Sequence, residues 1–202
     1  PMRLNQTSAV NLIGLDGVVT DQGFAQQQTE IRDMFSIVGN IYAMSKDWAK
    51  AEYMVYRGNT ALMTWEQAGV RMNETGMSFY TDGLNMYLLT ILNEVLGTGC
   101  YTLPATAGDG DTWTSCAGFP DYVQDKSSEP YSVKSEIFGF QGTLGVWFKV
   151  SNKGESSYVV FGGDNSGWSQ FSGYPNVEPT AWIHTGSEVV MGYAGGASAG
   201  VW

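Results

Sequence analysis

Between residues 31 and 56 the apolar positions recur at alternating steps of three and four: Ile31, Met34 and Phe35, Val38, Ile41 and Tyr42, Trp48 and Ala49, Val55 and Tyr56. That spacing is a helical stripe, interrupted by the polar Ser45 and Glu52, and it predicts a helix over about residues 22–57. Thr20 or Asp21 is the expected N-cap. A second arm begins at Asn59 or Thr60 and carries Ala61, Trp65, Ala68, Met72, Phe79, Tyr87, Ile91 and Val95, with Gly97 as its expected stop. With Arg57-Gly58-Asn59 as the turn, residues 21–97 predict a long antiparallel helical hairpin. Gly69, Gly76 and Gly83 stand at intervals of seven on this second arm. Each costs about 1 kcal/mol relative to alanine inside a helix, so they are expected to mark helix packing against Gly39 and Ala43, or else to divide the arm into shorter helices.

The pattern changes after Gly97. Eighteen of the 26 glycines and five of the seven tryptophans lie beyond Leu96, where helical periodicity gives way to alternation. Strands are expected at 132–140, 143–150, 157–161, 181–185 and 189–193, separated by turn-formers such as Gln141-Gly142 and Asn152-Lys153-Gly154. Residues 131–202 therefore read as an antiparallel β module, a sheet or small β-sandwich. Residues 98–130 read as a connection, and residues 1–20 as a polar arm with one alternating piece at 9–15 that could add to a sheet. The expected fold class is α+β: polar arm, helical hairpin, connecting loop, β module.

Composition narrows the partners. A formal charge of −10, with 10 acids against 6 bases in residues 1–100 and 10 against 4 in residues 101–202, disfavours a nucleic-acid surface. The apolar stretch 84–96 is too short to span a bilayer and is broken by Asn85, Asn93 and Glu94. The opening residues carry no secretory signal pattern. Cys100 and Cys116, the only cysteines, bracket a fifteen-residue loop rich in Gly, Thr and Asp. A disulfide closing that loop would contribute about 3 kcal/mol and would place the protein outside the reducing cytosol.

No catalytic, cofactor or metal site is expected. His184 is the only histidine and is read as structural. Gly108-Asp109-Gly110-Asp111 and Asp164-Asn165 have oxygen ligands but lack EF-hand spacing, so they are read as acidic turns. The aromatic supply of the second half, with Trp113, Trp168 and Tyr174 as candidate platforms, fits sugar faces as well as core. The stretch Gly142-Thr-Leu-Gly-Val-Trp-Phe-Lys-Val resembles one strand of the concanavalin-like jelly rolls. The resulting expectation is a non-enzymatic structural protein that self-assembles as a homo-oligomer, in a virion or an extracellular filament. The alternatives are an adhesin module binding a cell-surface glycan, or a glycoside hydrolase using unassigned carboxylates.

Overall fold

The structure, a computed structural model, describes residues 7–8, 11–13, 19–21, 26–27, 29–37, 40–47, 52–59, 62, 64–72, 75–91, 98–120, 131–140, 142–152, 155–164, 167–171, 177, 179–184, 189–193 and 200–201. Four short strands come first: β1 (Thr7–Ser8) pairs with β4 (Gln26–Gln27), and β2 (Asn11–Ile13) with β3 (Val19–Asp21). A first sheet then runs in chain order through β5 (Thr29–Ile37), β6 (Asn40–Asp47), β7 (Glu52–Asn59) and β8 (Thr64–Met72). The second holds β9 (Thr75–Thr81), β10 (Asn85–Ile91), β11 (Thr98–Pro104) and β12 (Thr114–Ser115). The third holds β13 (Tyr131–Phe140), β14 (Thr143–Asn152), β15 (Glu155–Asp164) and β16 (Gly167–Gln170). A fourth, of three strands, holds β17 (Pro179–His184), β18 (Val189–Tyr193) and β19 (Gly200–Val201). Every pairing is antiparallel.

The α+β expectation is thereby overturned, since the described residues contain no helix and the predicted helical hairpin of residues 21–97 consists, where described, of strands and the turns at Leu62 and at Asp82 to Leu84. The cause is local. A bulge between Ile31 and Asp33 sets Ile31 opposite Ser45 and Met34 opposite Ala43, so two residues three apart share a face of a strand. Farther on, β6, β7 and β10 are buried on both faces, so apolar residues fall at consecutive positions and imitate a helical step. The three glycines do not pack helices. Gly69 lies on β8 with φ +75°, Gly76 on β9 opposite Thr90, and Gly83 in the β9–β10 turn with φ +90°. Asp21, an expected helix cap, ends β3. Gly97 and the residues of the connection at 121–130 lie outside the described residues.

The sheets stack face to face. Tyr42, Met44, Val55 and Ala68 of the first meet Phe79, Met86, Leu88 and Leu103 of the second. The opposite face of the second sheet presents Tyr87, Leu89 and Cys100 to Ile137, Leu144, Val146 and Phe148 of the third. The far face of the third, with Trp147 and Val160, packs on Met191 of the fourth. Each inner sheet thus has two dry faces.

The first strands of the first three sheets converge at β9, an edge strand, against which the edge strands β5 and β13 both pack. Side chains replace the missing ladder. The Asp33 carboxylate accepts the Phe79 N–H at 2.8 Å and the Met34 N–H at 2.8 Å. On the other flank the Ser78 hydroxyl oxygen accepts the Ile137 N–H at 2.7 Å. Burial pushes the Asp33 carboxyl above its ordinary range, and the two backbone donors partly oppose this.

Two outcomes are expected. Gly69→Ala should destabilise the protein by about 2 kcal/mol in chemical denaturation, because the residue has a positive φ. A Cβ there would also approach Leu103 and Trp113 at 2.6 and 2.7 Å. A helical Gly69 would instead gain stability from alanine. For Asp33 the folded state holds its proton to higher pH than the unfolded chain does, so its contribution is largest below the unfolded pKa and is lost as pH rises through the folded one. Measured against the non-titrating Asp33→Asn, wild-type stability should fall as pH is raised from acid toward neutrality. A flat or rising difference contradicts the burial-dominated environment.

Candidate functional site at the turn end of the first two sheets

The β7–β8 turn, the β9–β10 turn and the loop after β11 meet at one end of the first two sheets. Arg57 ties them together. It lies on the same face of β7 as Val55, so its stem extends the apolar layer while its guanidinium reaches the rim. Nη1 donates to the Ala105 carbonyl and Nη2 to Glu66 Oε2 at 3.1 Å. The arginine side chain is 20% exposed and the glutamate side chain 70%, so the carbonyl bond is the sheltered part. Ala105 in turn donates its N–H to the Leu84 carbonyl at 2.8 Å. Burial raises the pKa of Tyr42, and the nearby Arg57 charge opposes that rise.

Each turn holds a leucine outward. In the β9–β10 turn Asp82 Oδ1 accepts the N–H groups of Leu84 and Asn85 at 2.8 and 2.7 Å. Thr81 Oγ1 accepts the Gly83 N–H at 3.0 Å, and the positive φ of Gly83 turns the chain there. Asp82 Oδ2 also accepts the Tyr87 hydroxyl at 3.4 Å. Burial first, and then the Asp82 charge, push the Tyr87 phenol up to about 12. In the β7–β8 turn Asn59 Oδ1 accepts the Leu62 N–H at 3.1 Å. Leu84 is 79% exposed and Leu62 69%, at positions where turns ordinarily carry small polar residues. Beside Leu62, a cleft of about 130 Å³ is lined by Asn40, Arg57, Asn59, Thr64 and Glu66. Its amides, hydroxyl and charged groups can exchange hydrogen bonds with a small polar molecule.

The loop 105–113 clasps the first sheet. Gly69 donates to the Gly108 carbonyl and Val70 to the Asp111 carbonyl, both at 2.8 Å, while Trp113 Nε1 donates to the Val70 carbonyl at 3.2 Å. Asp111 Oδ2 accepts the Gly108 N–H at 2.8 Å, the work of a turn-former. The described residues contain no grouping of three or more His, Cys, Asp and Glu that could hold a metal ion.

Of the aromatic platforms expected from sequence, Trp113 is buried between the first two sheets, and Trp168 is half-buried and edge-on to Phe119 at 5.0 Å. Tyr174 lies outside the described residues. His184 ends β17 opposite Val189. Cys100 and Cys116 are brought together, whereas Gly69, Gly76 and Gly83 belong to separate strands and a turn. Arg57, Asn40, Asn59, Glu66, Leu62 and Leu84 were not singled out as a site by sequence reasoning. Asp82-Gly83 was a usable signal, because that pair marks a turn and so places Leu84 at its apex. No protein-family model, curated protein or solved structure matches this chain.

Arg57→Met should cost about 1–3 kcal/mol in urea denaturation, since it strips the Ala105 carbonyl of its donor. Glu66→Gln should stay within about 0.5 kcal/mol of wild type, because its half of the ion pair stands in water. Equal effects would mean that the exposed pair, not the carbonyl bond, holds the rim.

Proposed function

We propose that this protein is a non-enzymatic structural component that assembles with copies of itself, in the setting of a virion or an extracellular filament, and that the turn end of its first two sheets is a contact surface. The observation that carries this reading is the pair Leu62 and Leu84, both strongly exposed. The Asn59 and Asp82 turn bonds hold them, so docking them against a partner costs little ordering entropy. Fully burying a leucine side chain against a partner contributes about 1.5–3 kcal/mol. A second copy brings the same formal charge of −10, so contact between copies has to centre on this apolar pair and should tighten as salt screens the repulsion.

The polar cleft beside Leu62 favours a second reading, in which the same end takes a small polyhydroxylated ligand such as a glycan terminus. Its amide and hydroxyl lining supports this in place of the tryptophans.

Light scattering coupled to size-exclusion across a micromolar concentration series should show a homo-oligomer for wild type. The double variant Leu62→Asp, Leu84→Asp should be shifted to monomer with its far-ultraviolet circular dichroism unchanged. A wild-type monomer at every concentration overturns the assembly reading, and binding on a glycan array would then favour the second.

A further inference from the structure

Cys100 and Cys116 occupy one cross-strand position. The register pairs Tyr101 with Ser115 and Thr102 with Thr114, and one step farther the Cys116 N–H donates to the Cys100 carbonyl at 2.8 Å. A hydrogen-bonded antiparallel pair sets its Cα atoms about 5.5 Å apart, inside the roughly 4.4–6.8 Å that a disulfide spans. Both side chains point to the same face, in the cluster with Leu89, Ile137 and Phe148, as two buried free thiols. Thr114 and Ser115, the whole of β12, are exposed.

We propose that Cys100 and Cys116 are an oxidation site whose disulfide closes the loop 105–113 into a covalent clasp between the first and second sheets. The loop already grips β8 through Gly108, Asp111 and Trp113, so a bond at its base fixes both ends of that grip. The oxidant is a small-molecule disulfide. One cysteine thiolate attacks it, forming a mixed disulfide and releasing one external thiol; the other cysteine sulfur then displaces the second external thiol. Two protein S–H bonds are lost, one S–S bond forms, and the external disulfide leaves as two thiols carrying the protons. The neighbouring Cys116 side chain first, and then burial, hold the Cys100 thiol far above its ordinary pKa, so the closed pair is a poor nucleophile. Oxidation therefore proceeds through opening of the two-residue edge strand β12, which exposes Cys116 without unfolding the sheets.

The test incubates native protein with oxidised glutathione, quenches in acid, alkylates under denaturing conditions and records the intact mass without reductant. The expected product is a monomeric chain two hydrogens lighter and unalkylated. Its melting temperature should lie roughly 6–12 °C above that of the reduced protein. Amide exchange at Gly69 and Val70 should slow on oxidation. Cys116→Ser should show neither the mass change nor the thermal shift. Two alkylated thiols per chain, persistent glutathione adducts or disulfides between chains would overturn the site. Unchanged exchange at Gly69 and Val70 in an oxidised chain would overturn the clasp.

Discussion

One carboxylate and one hydroxyl decide how three sheets share a strand. An edge strand buried among neighbours has backbone N–H groups with no ladder partner, and leaving such a group dry costs about 1–3 kcal/mol. At β9 the Asp33 carboxylate meets the Phe79 N–H, and on the far side the Ser78 hydroxyl meets the Ile137 N–H. Neither bond continues a sheet. Each joins one sheet to the next through a side chain, so β5, β9 and β13 lie together. The raised carboxyl of Asp33 is the cost of carrying a charge into that junction.

From this junction follows the two-faced burial of the second sheet. Its strand β10 alternates Met86 and Leu88 toward the first sheet with Tyr87 and Leu89 toward the third. Consecutive burial is possible because the sheet is sandwiched, and the sandwich is possible because β9 is held from both flanks. At the rim the same layers are closed by different means: Arg57 on the Ala105 carbonyl, Ala105 on the Leu84 carbonyl, and the loop 105–113 on β8.

Most strands after residue 131 were legible, β16 excepted, whereas those before it were not, β11 and β12 of the expected connection included. Strands expected at 143–150 and 189–193 fall within β14 and β18, because Trp147 and Val146 face different layers across a regular register and Gly142, with φ +75°, precedes β14. In the first half Ile31 and Met34 share a face only because of a bulge, and a bulge has no compositional signature there. Met-Tyr-Leu-Leu in β10 reads equally as a buried helix or a strand with two dry faces, and periodicity cannot separate them. The cysteines were legible as a pair from their spacing. The rim was not, since Arg57 and Ala105 meet across 48 positions of sequence.

Among the described residues, apart from the β1–β4 ribbon, each strand pairs with strands adjacent to it along the chain. Each meander can therefore close its loops over short stretches of polypeptide, with little entropy lost per closure. The β9 junction comes late by comparison, because it needs three meanders to be in hand before Asp33 and Ser78 find their partners. Its two bonds span 46 and 59 positions of sequence, so the junction carries a larger closure cost than any hairpin it joins.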